Sequence, residues 1–123
     1  MRVSREEFES FVERALAELP EEFREALDNV VVMVEEEPSR EDLEEVGIDS
    51  EDPEADELFG LYHGTNQLER GSGYSGLPDR VVIYRGPIVR ASGSRRELIR
   101  EIRDTVQHEL GHYFGMEEDD LPF

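Results

Sequence analysis

Residues 94–115, SRRELIREIRDTVQHELGHYFG, decide how this chain is read. Ile99, Ile102, Val106, Leu110, Tyr113 and Phe114 fall within one broad apolar arc at about 100° per residue, the mark of an amphipathic helix. Ser94 with Glu97 writes a capping box at the start, and Gly115 stands where a C-terminal cap stands. The helix contains His108-Glu109-Leu110-Gly111-His112. Histidines at i and i+4 project from one side of a helix, one turn apart, and can share a metal ion. They lie roughly 120–160° from the Ile102/Val106/Leu110 direction. One face can therefore enter a core while the histidines face a cleft. Neutral imidazole suits Zn²⁺ and leaves its other ring nitrogen free for an acceptor. Glu109, beside the first histidine, is placed to take a proton from an activated water and pass it to a leaving amine.

A catalytic zinc normally takes three protein ligands plus water. Eleven residues follow His112, which leaves no room for a further helix carrying a glutamate. The third ligand is therefore expected from the short tail, Glu117-Glu118-Asp119-Asp120, or from upstream. Gly115 can adopt φ > 0 and turn the chain back toward the metal, and Glu118 lies three residues beyond it.

Outward from this helix, the rest reads as a small α+β domain. Phe8, Phe11, Val12, Ala15, Leu16 and Leu19 put an amphipathic helix over 4–19, with Ser4 and Glu7 at its start. Pro20 ends it and opens a second short helix near 21–28. Val30–Val34 and Arg80–Arg85 are β-branched runs that read as strands. Ile88 and Val89 extend the second strand past a bulge, and Leu58–Tyr62 is a strand or the end of a turn. Residues 63–79 read as a loop. Residues 35–57 hold 13 acids against Arg40 alone, −12 of the chain's net −19, and are expected to form a mobile acidic loop in which Leu43, Val46 and Ile48 pin at most a short turn. There is no repeat and no sign of a second domain, so 1–123 is expected to be one domain. A small mixed sheet would pack against the N-terminal helix and the histidine-bearing helix.

The composition excludes much else. Thirteen arginines and no lysine face 32 acids. A nucleic-acid partner is disfavoured because phosphate contacts need a basic face, and an anionic membrane is disfavoured likewise. Without cysteine there is no disulfide, zinc ribbon or thiol nucleophile. No apolar run approaches a membrane span, and the N-terminus lacks a secretory h-region, so a soluble cytoplasmic protein is expected.

The run His108-Glu109-x-x-His112-x-x-Gly115-x-x-Glu118 resembles the metzincin pattern with an acid in place of the third histidine. More closely, the chain resembles the small bacterial zincin-like metallopeptidases, the minimal zincins, with their H-E-x-x-H-x-x-G-x-x-D pattern. The likeness extends to Phe8–Pro20, Val30–Pro38, Gly60-Leu61-Tyr62, Arg70–Tyr74, Leu77–Arg80, Tyr84–Ile88 and Thr105–Gly115. It implies a minimal zincin-like fold, one catalytic Zn²⁺ on His108, His112 and Glu118, and Glu109 as general base. Glu118 stands where the family has Asp and is one methylene longer, so Asp119 is a substitute ligand. The expected activity is zinc-dependent hydrolysis of a peptide or protein substrate. A metal-containing binding module is the first alternative and a metal-dependent ribonuclease the second. The lack of a third histidine and the −19 charge argue against the ribonuclease.

Other residues are weaker candidates. His63 could approach the metal, but a lone loop histidine is the simpler reading. Tyr62, Tyr74 and Tyr113 are candidate oxyanion donors, with Tyr113 better read as core. Arg70, Arg80 and Arg85 read as ordinary surface or strand-edge arginines, and residues 80–85 offer an edge for an extended peptide.

Overall fold

A computed structural model of the chain describes residues 2–27, 30–64 and 79–116. The elements run α1 (Arg5–Ala17), α2 (Glu21–Glu25), β1 (Val30–Glu35), α3 (Arg40–Glu45), a 3-10 turn (Pro53–Glu57), β2 (Gly60–His63), β3 (Asp79–Tyr84), α4 (Arg85–Ala91) and α5 (Arg95–Phe114). The three strands form one mixed sheet in the order β1-β3-β2. β1 runs parallel to β3 with Val30 opposite Asp79, and β2 runs antiparallel to β3 with Gly60 opposite Ile83. The α+β class therefore holds, with helices on a small mixed sheet.

Strand alternation divides the sheet into two faces. Val34, Val81 and Ile83 point to one face, where they pack with Phe8, Val12 and Ala15 of α1 and with Leu98, Ile102, Val106 and Leu110 of α5. This is the main core. Leu61, Val82 and Tyr84 point to the other face with Met33 and Leu58. α3 meets that second face, where the Tyr84 hydroxyl donates to Asp42 at 2.7 Å.

α5 follows its sequence signals. Ser94 Oγ accepts the Glu97 N–H, and Gly115 closes the helix at φ +70°. The Glu97 carboxylate accepts from Gly93 rather than from Ser94. The Met116 N–H returns to the Gly111 carbonyl, which turns the chain back after the helix. Leu98, absent from the predicted arc, is fully buried, while Ile99 is only half-buried.

Three expectations are corrected. Arg85–Ala91 is a helix, not a strand extension. Pro87 lies in its first turn, where a missing N–H costs no intrahelical bond. The Gly86 N–H donates to the Glu36 carbonyl, and a Cβ at Gly86 would lie 1.7 Å from a Glu37 carboxylate oxygen. The acidic segment 35–57, expected as a mobile loop, holds α3 and the 3-10 turn. Ser39 and Asp52 cap these elements, Leu43 is buried, and Arg90 pairs with both Glu37 and Asp56. Residues 80–84 are not an exposed edge, because β3 is hydrogen-bonded on both sides, and among the described residues the edges belong to β1 and β2. Arg85 accordingly leaves the sheet and pairs with Glu36 from the start of α4.

Candidate active site

The last two turns of α5 place His108 and His112 one above the other, with ring centroids 4.8 Å apart. Their side chains are 47% and 50% exposed, while Leu110 between them is fully buried. The helix thus shows its apolar arc to the sheet and its imidazoles to the solvent side.

Glu109 is buried, and its carboxylate lies near both rings. Oε2 is 3.8 Å from His108 Nε2, and Oε1 is 3.5 Å from His112 Nδ1. It is buried because β2 crosses α5 at close range. The crossing point is Gly60, where a Cβ would lie 2.8 Å from Thr105 Cγ2 and 3.1 Å from Glu109 Cγ. Two residues on, the Tyr62 backbone N–H donates to the Glu109 carboxylate. Burial raises this carboxyl above the usual carboxylate range, and the two histidines and the Tyr62 N–H draw it partly back. A buried, oriented carboxylate of raised basicity beside two imidazoles is the arrangement general-base chemistry requires.

Tyr62 follows the same strand face. Its hydroxyl donates to the buried Asp79 at 2.5 Å, and its ring centroid is 6.5 Å from that of His112. Tyr113 is fully buried, and its hydroxyl donates to the Ala26 carbonyl at 3.3 Å. Tyr74, Arg70, Glu118 and Asp119 lie outside the described residues. His63 does not join this site. Strand alternation turns it to the opposite face of the sheet, beside Asp42 and Glu45. Sequence reasoning gave Gly60 and Asp79 no role in the site, and they figured there only within the segments of the family likeness.

A cavity of about 340 Å³ opens beside His108 and Glu109, lined also by Leu58, Phe59, Gly60 and Asp104. Among the described residues no helix is long and apolar enough to cross a membrane.

Two imidazoles from successive helical turns, half-exposed over a buried carboxylate, make a donor set that suits a first-row divalent ion. Comparisons with known proteins place the chain among relatives. A solved structure of a conserved hypothetical protein from Thermus thermophilus superposes with a TM-score of 0.58 at 25% identity, over 91% of this chain and 94% of that one. No curated protein matches the sequence. The model of the zincin-like metallopeptidase family matches residues 27–122, most of the length and the whole histidine motif. The chain belongs to the zincin-like metallopeptidase family.

Proposed function

We propose that this protein is a zinc-dependent peptidase in which His108, His112 and Glu118 hold the ion and Glu109 is the general base. The observation that carries the reading is the buried Glu109 carboxylate, within 4 Å of both imidazoles and held by a backbone N–H of the neighbouring strand. Zinc, when bound, supplies Lewis-acid polarisation. Glu109 takes the proton of the attacking water and delivers it to the leaving amine. Tyr62 keeps the carboxylate oriented through its N–H. β2, an edge strand among the described residues and beside the site, offers backbone groups to an extended peptide, and the cavity next to His108 receives a side chain of that peptide. The substrate is a peptide or protein, and the setting is the cytoplasm.

The test is zinc content and cleavage of a peptide library by the wild-type chain and by Glu109→Gln. The expected result is zinc in both proteins and cleavage by the wild type alone. A wild-type protein that binds no zinc, or that binds it and cleaves nothing, overturns the reading.

A further inference from the structure

The face of the sheet away from α5 carries its own cluster of metal-ligating groups. Asp42 and Glu45 stand one turn apart on α3, and His63 stands at the end of β2. One ligand atom from each lies within 4.8 Å of the other two. Asp42 and His63 are each only 16% exposed at the side chain, whereas Glu45 reaches in from the surface.

The geometry points to a second metal site, formed by Asp42, Glu45 and His63, that takes a first-row divalent cation. Three observations support it. First, the donors stand off from one another. His63 Nε2 is 3.5 Å from Asp42 Oδ1, and His63 Nδ1 is 3.3 Å from Glu45 Oε2. Both are longer than an ordinary N–H···O bond. Two donors on one tetrahedral ion, each about 2.1 Å from it, are separated by about 3.4 Å, which the His63 Nε2–Asp42 Oδ1 pair matches, while Glu45 meets the other ring nitrogen. A single ion uses one ring nitrogen, and the exposed Glu45 has the freedom to follow it.

Second, the buried carboxylate is already oriented. The fully buried Tyr84 donates its hydroxyl to Asp42 Oδ2, which leaves Oδ1 toward His63. Burial and the neighbouring acids push the Tyr84 phenol up, so it stays a donor across the physiological range. A hydrogen bond to the far oxygen of a ligating carboxylate is how metal ligands are commonly held.

Third, the two carboxylates of the cluster have no arginine partner among the described residues. Arg85 and Arg5 pair with Glu36 and Arg90 with Glu37 and Asp56, while Arg80 stands opposite His63 across the β2–β3 pairing. No arginine among the described residues pairs with Asp42 or Glu45. A divalent cation provides the counter-charge, and the imidazole favours a transition ion over Ca²⁺, which prefers oxygen donors alone.

The site is distinct from the α5 histidines, so the two can be separated. The experiment titrates Zn²⁺ into the full chain and measures metal retained after dialysis. The set is wild type, His108→Ala/His112→Ala, His63→Ala, and the triple variant. The expected zinc content is about two ions in the wild type, one in the double variant, one in His63→Ala and none in the triple. Excess Zn²⁺ should also raise the melting temperature of the double variant, because the ion ties α3 to β2. Should His63→Ala disturb folding, Glu45→Gln in the double-variant background changes only a surface-reaching group. It is expected to weaken Zn²⁺ binding at least tenfold. Zinc absent from the double variant, unchanged in His63→Ala, retained by the triple variant, or bound with unchanged affinity after Glu45→Gln overturns the site. Loss of zinc from the α5 site alone tells against the peptidase reading and leaves this one standing.

Discussion

The two faces of the sheet solve the same problem, covering three short strands, with opposite materials. On one face lies α5, 20 residues long, capped at both ends and apolar along one arc. On the other lies α3, six residues long, drawn from a segment that is mostly acid. The first face is held by aliphatic burial. The second combines a smaller apolar cluster, Leu61, Val82 and Tyr84, with a tyrosine–carboxylate bond and a histidine between two acids. The long helix can carry reactive groups at its rim because its core face secures it independently. On the α3 side polar groups share the attachment with Leu43 and a small apolar cluster, so whatever neutralises them also adds to the packing.

The largest effect should fall on the α5 side. Glu109→Gln is expected to lower peptide cleavage by about 10³-fold, within the usual range for general acid–base catalysis, with the circular dichroism spectrum unchanged. A variant that kept most of its activity would remove Glu109 from the chemistry and leave the two faces equal in function. Next, Ile102→Ala deletes a fully buried side chain of the main core. It should cost about 3 kcal/mol in denaturant unfolding, against about 1 kcal/mol for Tyr84→Phe on the other face, which loses one hydrogen bond and little volume. Equal losses would erase the contrast between aliphatic and polar attachment.

Gly60→Ala sharpens the comparison at the point where the sheet meets α5. The added methyl must displace Thr105 or Glu109, so a stability loss of about 2 kcal/mol is expected together with reduced cleavage. Unchanged thermal unfolding would show that β2 can draw back from the helix at no cost. The smallest effect concerns the caps. Ser94→Ala removes the acceptor for the Glu97 N–H and should lower stability by about 1 kcal/mol, while Ser39→Ala, which caps only α3, should cost less. The reverse order would make α3 the more stabilising helix.

How far the sequence could be read depends on whether a signal is local. Ser94, the apolar arc and Gly115 are close neighbours along the chain, so α5 and the placement of His108, Glu109 and His112 on it were legible from the residues alone. The two valine-rich strands were legible for the same reason. Their order was not, because nothing in Val81 or Ile83 says that β1 lies on one side of them and β2 on the other. Ile88 and Val89 suggested a strand because β-branched residues favour one. They are helical because Gly86 lets the chain turn tightly against Glu36 and Glu37. The acidic segment misled in the same way. Composition assigns 35–57 to solvent, yet Leu43 is buried and an arginine more than 30 residues distant reaches back to its acids. The Asp42–Glu45–His63 cluster was invisible because His63 belongs to a different element from the two acids, and only strand alternation turns it toward α3.

The parallel pairing of β1 with β3 has a consequence for synthesis. Val30 and its partner Asp79 are almost fifty residues apart, so β1 leaves the ribosome a few seconds before its neighbour at about 5–20 residues per second. The core waits longer still. Leu98, Ile102, Val106 and Leu110 come from α5, the last described element to emerge. The hydrophobic interior therefore cannot close until the helix with the histidines has been made. A chain halted before Ser94 is expected to remain uncollapsed, which pulse proteolysis of stalled nascent chains would detect. Nascent chains of this protein should therefore gain protease resistance and the paired imidazoles in one event.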